Sequence, residues 1–251
     1  MTTSTPRRLL PAQCFADIFA PLAGRKVGLV DGVAANVGDR LIYAATRQLL
    51  DHFKVDWHIH DPYEPSDDDL LLLFGGGNLG SGYHAEVKRR QAAIAQRKPT
   101  IILPQSAYGQ EAVCEAIVYL REPSGKRFFP EARLAPDMAL AYLHAPFVPN
   151  RAGAFFLRQD SEGRFRTADW QSRSVGDPIQ FARSPEDYVG LAGSYEYIVT
   201  DRLHFAIAAM MNGVPTTLIP NRTPKNRGMW ETWLGDLGCR WAESPSHTEF
   251  W

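Results

Sequence analysis

"KVGLVDGVAANVGDRLIYAATRQLLDHFKVDWHIHD", residues 26–61, decides the fold. "KVGLVD" (26–31) is a short β-rich run, "DRLIYAATRQLLDHF" (39–53) spaces its apolar residues as a helix does, and "VDWHIHD" (55–61) alternates as a second strand. A helix between two strands is long enough to cross over and return in the same direction, so this is a βαβ unit with a parallel pair. The alternation continues outward. "DLLLLFGGG" (69–77) reads as a buried strand ending in glycines, "YHAEVKRRQAAIAQR" (83–97) as a helix and "TIILPQS" (100–106) as a strand. "CEAIVYLRE" (114–122) and "LAPDMALAY" (134–142) follow, and the Pro- and Gly-bearing "HAPFVPNRAG" (144–153) marks a lobe boundary. The strand "AFFLRQD" (154–160) restarts the pattern, and a polar, irregular stretch runs to Arg183. The helix "SPEDYVGLAGSY" (184–195) opens with Ser184 as its N-cap and Glu186 and Asp187 in its first turn. Strand "EYIVTD" (196–201), helix "RLHFAIAAMMNG" (202–213), strand "PTTLIP" (215–220) and helix "GMWETWLGDLG" (228–238) complete the chain. The expected fold is α/β, with Rossmann-like lobes of parallel sheet over 1–147 and 148–251.

Composition sets the limits. The chain has 251 residues, 45% hydrophobic and 22% charged, which leaves room for two such cores and argues against disorder. A formal charge of -1 gives no global attraction for nucleic acid, so an anion site must be a local cluster of arginine and lysine. Cys14, Cys114 and Cys239 lie far apart without a C-x-x-C pair, which argues against a zinc site and a disulfide framework and for a reducing cytoplasm. The first residues lack the continuous apolar core of a signal peptide, and the longest apolar run, "LLLLF" (70–74), falls far short of the roughly 20 residues that span a bilayer. Membrane contact is expected to be peripheral at most.

Ligands of open parallel sheets lie beyond the carboxyl ends of the strands, which singles out the loops there. "GGGNLG" (75–80) formally matches G-x-G-x-x-G, but the next strand ends in Pro104, Gln105 and Ser106 where a dinucleotide site needs an acidic residue for the ribose. A tight turn, or a backbone close to a ligand with Asn78 reaching a sugar or carboxylate, are the other readings. In "NVGD" (36–39) Asp39 either caps the following helix or takes a proton from a sugar hydroxyl. "TDRLH" (200–204) falls where a strand ends and a helix begins, a place whose unpaired N–H groups and dipole favour anions; Arg202 adds a fork suited to phosphate or carboxylate. The structural alternative has Asp201 capping the helix and pairing with Arg202, with His204 a half-buried side chain. Arg158, Arg222, Lys225 and Arg227 stand at equivalent strand ends and suit a small dianion; Arg121 is similar in the first lobe.

Taken together, "NVGD", "GGGNLG", "ILPQS", "LREPSG", "LAPDMA", "FLRQD", "ADW", "VTDRLHFAIAAMMNGVP" and "NRTPKNRGMWETW" resemble, in order and over most of the chain, the bacterial polysaccharide pyruvyl transferases. The resemblance implies a two-lobed fold similar to the GT-B glycosyltransferases. It also implies transfer of the enolpyruvyl-derived group of phosphoenolpyruvate to sugar hydroxyls of an exopolysaccharide or cell-wall glycan, forming a pyruvate ketal without metal or cofactor. By motif, Arg158, Arg202 and Lys225 would hold phosphoenolpyruvate, with His204 as acid and Asp39 as base, two roles that can be exchanged. Asn36, Asn78 and Gln105 are the expected contacts of the acceptor sugar. The lobe 1–147 would face the acceptor, a glycan or lipid-linked oligosaccharide met at the inner face of the membrane, and the shortened lobe 148–251 the donor. Ser81 stands where the family often has aspartate, Phe205 replaces a usual glycine, and the segment between Trp170 and Tyr197 is shorter than in many relatives. Two other readings stand beside this one: a nucleotide-sugar-dependent glycosyltransferase of similar architecture, and a non-catalytic glycan-binding relative.

Overall fold

The computed structural model describes residues 5–33, 36–80 and 82–248, so Ser81 lies outside the described residues. In chain order the regular elements are α1 (Ala16–Phe19), β1 (Lys26–Val30), α2 (Val37–His52), β2 (Asp56–Ile59), β3 (Leu70–Leu73), β4 (Gly76–Leu79), α3 (His84–Ala95), β5 (Thr100–Ala107), β6 (Ile117–Leu120), β7 (Arg133–Leu134), β8 (Ala154–Phe156), α4 (Ala168–Arg173), α5 (Pro185–Gly193), β9 (Ile198–Thr200), α6 (Leu203–Met211), β10 (Thr216–Leu218), α7 (Lys225–Met229) and β11 (Arg240–Trp241). They build two sheets. One has seven strands in the order β2-β1-β3-β5-β6-β7 with β4 paired to β5; the other has four in the order β11-β10-β9-β8. Every strand pair is parallel, as the βαβ reading requires.

In the seven-stranded sheet the order reverses at β1, whereas the four-stranded sheet is wound in one direction. All four leucines of β3 are buried, the signature of a strand covered on both faces. Val30, Leu71, Leu73, Ile102, Val118 and Leu120 form the core of this sheet. Leu157, Val199 and Ile219, with Phe155, Phe165 and Trp170 packed against them, do the same for the other. Helix α6 is apolar all round and buried along its length except at His204, as a helix enclosed by its own unit must be.

Two compact units result. One comprises 10–35 and 42–142; the other comprises 143–251 together with 1–9 and 36–41. In the second, Arg7 exchanges backbone hydrogen bonds with His144 and donates from Nε to the carbonyl of Met211 at 2.7 Å. No helix of the described residues is long and apolar enough to cross a membrane.

Three local readings change. The run expected as one strand over 69–77 is two, β3 and β4, broken at its glycines: Gly76 has φ +142°, and a Cβ on Gly75 would stand 3.0 Å from the carbonyl oxygen of Pro104. The helix expected over 228–238 starts at Lys225 and passes after Met229 into a π-helical turn, Trp230–Leu234. The irregular stretch before Arg183 contains α4 and a 3-10 turn, Pro178–Gln180, whose N-cap Asp177 accepts from the N–H of Ile179. Helix α5 carries the expected cap in full, since Ser184 and Asp187 cap each other's backbone in a capping box.

Gly80 is the most constrained of the glycines after β4. Its φ is +61°, and a Cβ there would stand 2.9 Å from the nitrogen of Gly109 and closer still to its carbonyl. Gly80→Ala should therefore cost about 1–3 kcal/mol from backbone strain, with the clash in addition. Chemical denaturation measures this, and an unchanged midpoint would show that the turn relaxes freely.

Candidate functional site

Strand register brings the arginines together. β8 and β9 are parallel neighbours with Phe156 opposite Thr200, so Arg158 and Arg202, each two residues further on, leave the sheet side by side at its carboxyl end. The two chains are tied there, because the N–H of Arg158 donates to Oδ1 of Asp201 at 2.8 Å. Lys225 is brought in by its neighbour: Asn226, wholly buried, donates from Nδ2 to the carbonyls of Asp201 at 2.8 Å and Ile219 at 3.0 Å. The start of α7 is thereby pinned between the ends of β9 and β10.

Three carboxylates answer the three cations. Arg202 is buried and meets Asp177 with two prongs, Nε to Oδ1 at 2.9 Å and a terminal nitrogen to Oδ2 at 2.5 Å. The same terminal nitrogen reaches Asp160 at 2.8 Å. Arg158 grips Asp160 with two bonds of 2.9 Å and contacts Glu162 at 2.9 Å, and Lys225 donates to Glu162 at 2.6 Å. Partial burial alone would raise the Asp160 carboxyl, but the hydrogen bond from Arg158 and the charges of both arginines overcome it and hold the group at about 2. Glu162 is likewise lowered by Lys225 and Arg158 against the effect of burial.

The partners differ in how firmly they are held. Asp177 is buried and spends further lone pairs on the N–H groups of Gln159 and Ile179, so it fixes Arg202 to the fold. Asp160 and Glu162 belong to the turn that follows Arg158, and the side chain of Asp160 is 40% exposed. Asp201 sits beneath the network with no exposure; its Oδ2 has no hydrogen-bond partner, and burial pushes the group up to about 7 against the N–H of Arg158 and the arginine charges. It neither caps α6, which has no side-chain cap, nor pairs with Arg202.

The "NVGD" segment joins the same unit. Asn36, immediately before α2, accepts from the N–H groups of Gly38 at 2.9 Å and Asp39 at 3.3 Å, and its amide donates to the Asp39 carboxylate at 2.8 Å. Asn36 is thus the cap, and Asp39 is the acid of the first turn. A Cβ on Gly38 would stand 3.0 Å from Nδ1 of His204, so this glycine lets the start of α2 lie against the histidine. Burial, with Asp39 among the nearby charges, raises the Tyr188 phenol. Phe205 meets Phe156 edge-on with ring centroids 4.7 Å apart and Tyr188 at a tilt with centroids 5.1 Å apart.

Asn78 and Gln105 lie in the other unit. Asn78 accepts from Arg90 at 2.5 Å; Gln105 is buried, accepting from the N–H of Asn78 at 3.2 Å and donating to the carbonyl of Phe74 at 2.8 Å. Arg121 is buried between Asp137 at 2.6 Å and Ser106 at 2.8 Å. Arg227 is exposed, pairing with Glu231 at 2.6 Å and Glu243 at 3.1 Å, outside the cation network. A separate cleft lined by Val214, Thr216, Leu237 and Arg240 opens at the amino ends of β10 and β11, the end where parallel sheets do not place their ligands. The carboxylates Asp160, Glu162 and Asp177 were the functional neighbours that local sequence reading missed; "LRQD" carried the signal for the first of them.

Two parallel sheets, one of them with cations gathered at its carboxyl end, define an α/β protein. Residues 36–223 match the family described as polysaccharide pyruvyl transferase, and the chain belongs to that family. It is 23% identical to General stress protein 30 of Bacillus subtilis over 259 residues, covering 80% of this chain and 76% of that protein. Among solved structures, a functionally uncharacterized protein of Klebsiella pneumoniae is similar in fold, with a TM-score of 0.69 at 20% identity over 87% of this chain and 93% of that one.

The Asp201 environment has a pH signature. Between its ordinary value of 3.8 and about 7 the folded chain holds a proton that the unfolded chain has released, so this group makes stability fall as pH rises through that window, and not above it. The melting temperature of Asp201→Asn minus that of the native protein should therefore grow from about pH 4 to about pH 7 and then level. A difference independent of pH would show that Asp201 is ionised throughout.

Proposed function

We propose that this chain transfers the enolpyruvyl-derived group of phosphoenolpyruvate to a sugar hydroxyl of an exopolysaccharide or cell-wall glycan and closes a cyclic pyruvate ketal. The observation that carries the reading is the convergence of Arg158, Arg202 and Lys225 on one strand end, with His204 in the first turn of the next helix of the same unit. Phosphoenolpyruvate offers a phosphate and a carboxylate. These would replace Asp160 and Glu162, the partners on the turn, while Asp177 keeps Arg202 aimed.

In this mechanism His204 delivers a proton to the methylene carbon of the enol, leaving an oxocarbenium-like centre beside the carboxylate. Asp39 takes the proton of the attacking hydroxyl as the new C–O bond forms. The C–O bond to phosphate then breaks as Asp39 returns that proton to the departing phosphate, and the cations stabilise its charge. A second hydroxyl adds to the same carbon and its proton returns to the acid, so one phosphate is released for each ketal formed. Asn36 would act by positioning Asp39, and Asn78 by contacting the acceptor sugar, with Gln105 holding its backbone. A GT-B-like arrangement with an acceptor lobe and a donor lobe, at the inner face of the membrane, is the setting this chemistry would need.

The test is release of inorganic phosphate from phosphoenolpyruvate in the presence of a panel of glycans and lipid-linked saccharides, with mass analysis of the acceptor. Phosphate together with a pyruvylated glycan supports the proposal. Nucleoside diphosphate released from a nucleotide sugar would replace it with glycosyl transfer, and glycan binding without any turnover with a non-catalytic role.

His204 separates chemistry from packing. His204→Gln should lower turnover by roughly 10²–10⁴ while phosphoenolpyruvate affinity stays within a few fold and melting barely moves. If His204 is only a packed side chain, turnover per folded molecule stays intact and about 0.5–3 kcal/mol of stability is lost.

A further inference from the structure

His58 in β2 and His60, one residue beyond its end, are two positions apart at the edge of the sheet, which puts their side chains on one face of it. Asp68, just before β3, brings its carboxylate to that face. Donor atoms of the three residues lie within 4.8 Å of one another. Nδ1 of His58 is 3.6 Å from Oδ1 of Asp68, and Nδ1 of His60 is 4.0 Å from Oδ2. These separations are too long for hydrogen bonds. The first is close to the ligand-to-ligand edge of a tetrahedral zinc site, about 3.4 Å for bonds of about 2.0–2.1 Å.

The carboxylate is placed with care. Asp68 is buried, its Oδ2 accepts from the hydroxyl of Ser66 at 2.5 Å, and its Oδ1 has no hydrogen-bond partner. Gly28 stands in register beside His58, and a Cβ there would come 3.1 Å from Cγ of Asp68 and closer to its Oδ2. The strand therefore gives up a side chain where the carboxylate sits. On the far side of His60, Nε2 is 3.1 Å from the amide nitrogen of Gln96, whose Oε1 is buried and has no hydrogen-bond partner. The same amide nitrogen donates to the carbonyls of Pro62 and Glu64, so Gln96 holds the ring of His60 from the side away from Asp68.

We infer that His58, His60 and Asp68 form a binding site for one divalent transition-metal ion of the zinc type. Two imidazoles and one carboxylate select zinc, cobalt or nickel over magnesium or calcium. His58 is 46% exposed, which leaves a path for entry and a coordination position for water. The two histidines and Asp68 flank the connection 61–67, so the ion would staple that connection and the edge strand β2 to the start of β3. Its role is structural, independent of the strand-end cations in the other unit. The charges around it are Lys26, which pairs with Asp67, and Asp56; the carboxylates favour the ion and Lys26 opposes it.

The test uses the full chain, freed of tag and metal by chelation and desalting, titrated with zinc chloride by calorimetry and with cobalt chloride by visible absorption. One equivalent should bind, the cobalt form should show tetrahedral ligand-field bands, and melting should rise with zinc but not with magnesium. His58→Gln, at an exposed position, should leave metal-free melting unchanged and weaken zinc binding at least tenfold. Asp68→Asn should weaken it as well. No binding at micromolar zinc, or binding that His58→Gln and His60→Gln both leave unchanged, overturns the site and marks any zinc taken up as adventitious.

Discussion

Two guanidinium groups and an ammonium group, nearly removed from water at the end of a parallel sheet, must have counter-charges at hydrogen-bond distance. The buried Arg202–Asp177 pair is the fixed part of the answer. Separating either partner would leave a charge in a place of low polarisability, at a cost of several kcal/mol. This need explains features that otherwise look unrelated. It draws the irregular stretch after β8 back to the sheet, because Asp177 must reach Arg202. It keeps Asp201 beneath the arginines with one oxygen on a backbone N–H, and it directs Asn226 to hold the start of α7 so that Lys225 faces Glu162.

The same constraint divides the network into a frame and a replaceable part. Asp177 is tied to the backbone on both sides, whereas Asp160 and Glu162 sit on a turn outside any strand or helix. A network that is neutral by itself cannot hold a dianion until some of its own carboxylates leave. Under the proposed function, the phosphate and carboxylate groups of one substrate would match Asp160 and Glu162 in number.

Much of this was legible in the sequence because it is local. The alternation of strand and helix, the N-cap at Ser184 and the seam at "TDRLH" are patterns over a few residues, and each appears where the pattern puts it. What was not legible depends on pairing across the chain. Asp177 lies 25 residues from Arg202, and nothing near either one announces the other. The division of 69–77 into β3 and β4 follows from the approach of a second backbone, which apolar periodicity does not record. The hydrogen bonds that hold Asn78 and Gln105, to Arg90 and to the backbone carbonyl of Phe74, likewise join residues far apart in the chain. The pair His58 and His60 read as strand alternation, since the carboxylate that gives them meaning is Asp68, placed by the fold.

The exchange of Asp160 for substrate is the most exposed claim. It is tested by calorimetric titration of phosphoenolpyruvate into native protein and Asp160→Asn at one pH and ionic strength. If the turn carboxylate competes for the arginines, the variant binds phosphoenolpyruvate several-fold more tightly, and the gap narrows as salt is added. Equal or weaker binding by a variant that is folded as the native protein is would mean that Asp160 belongs to the frame, and that the arginines are not open to the donor.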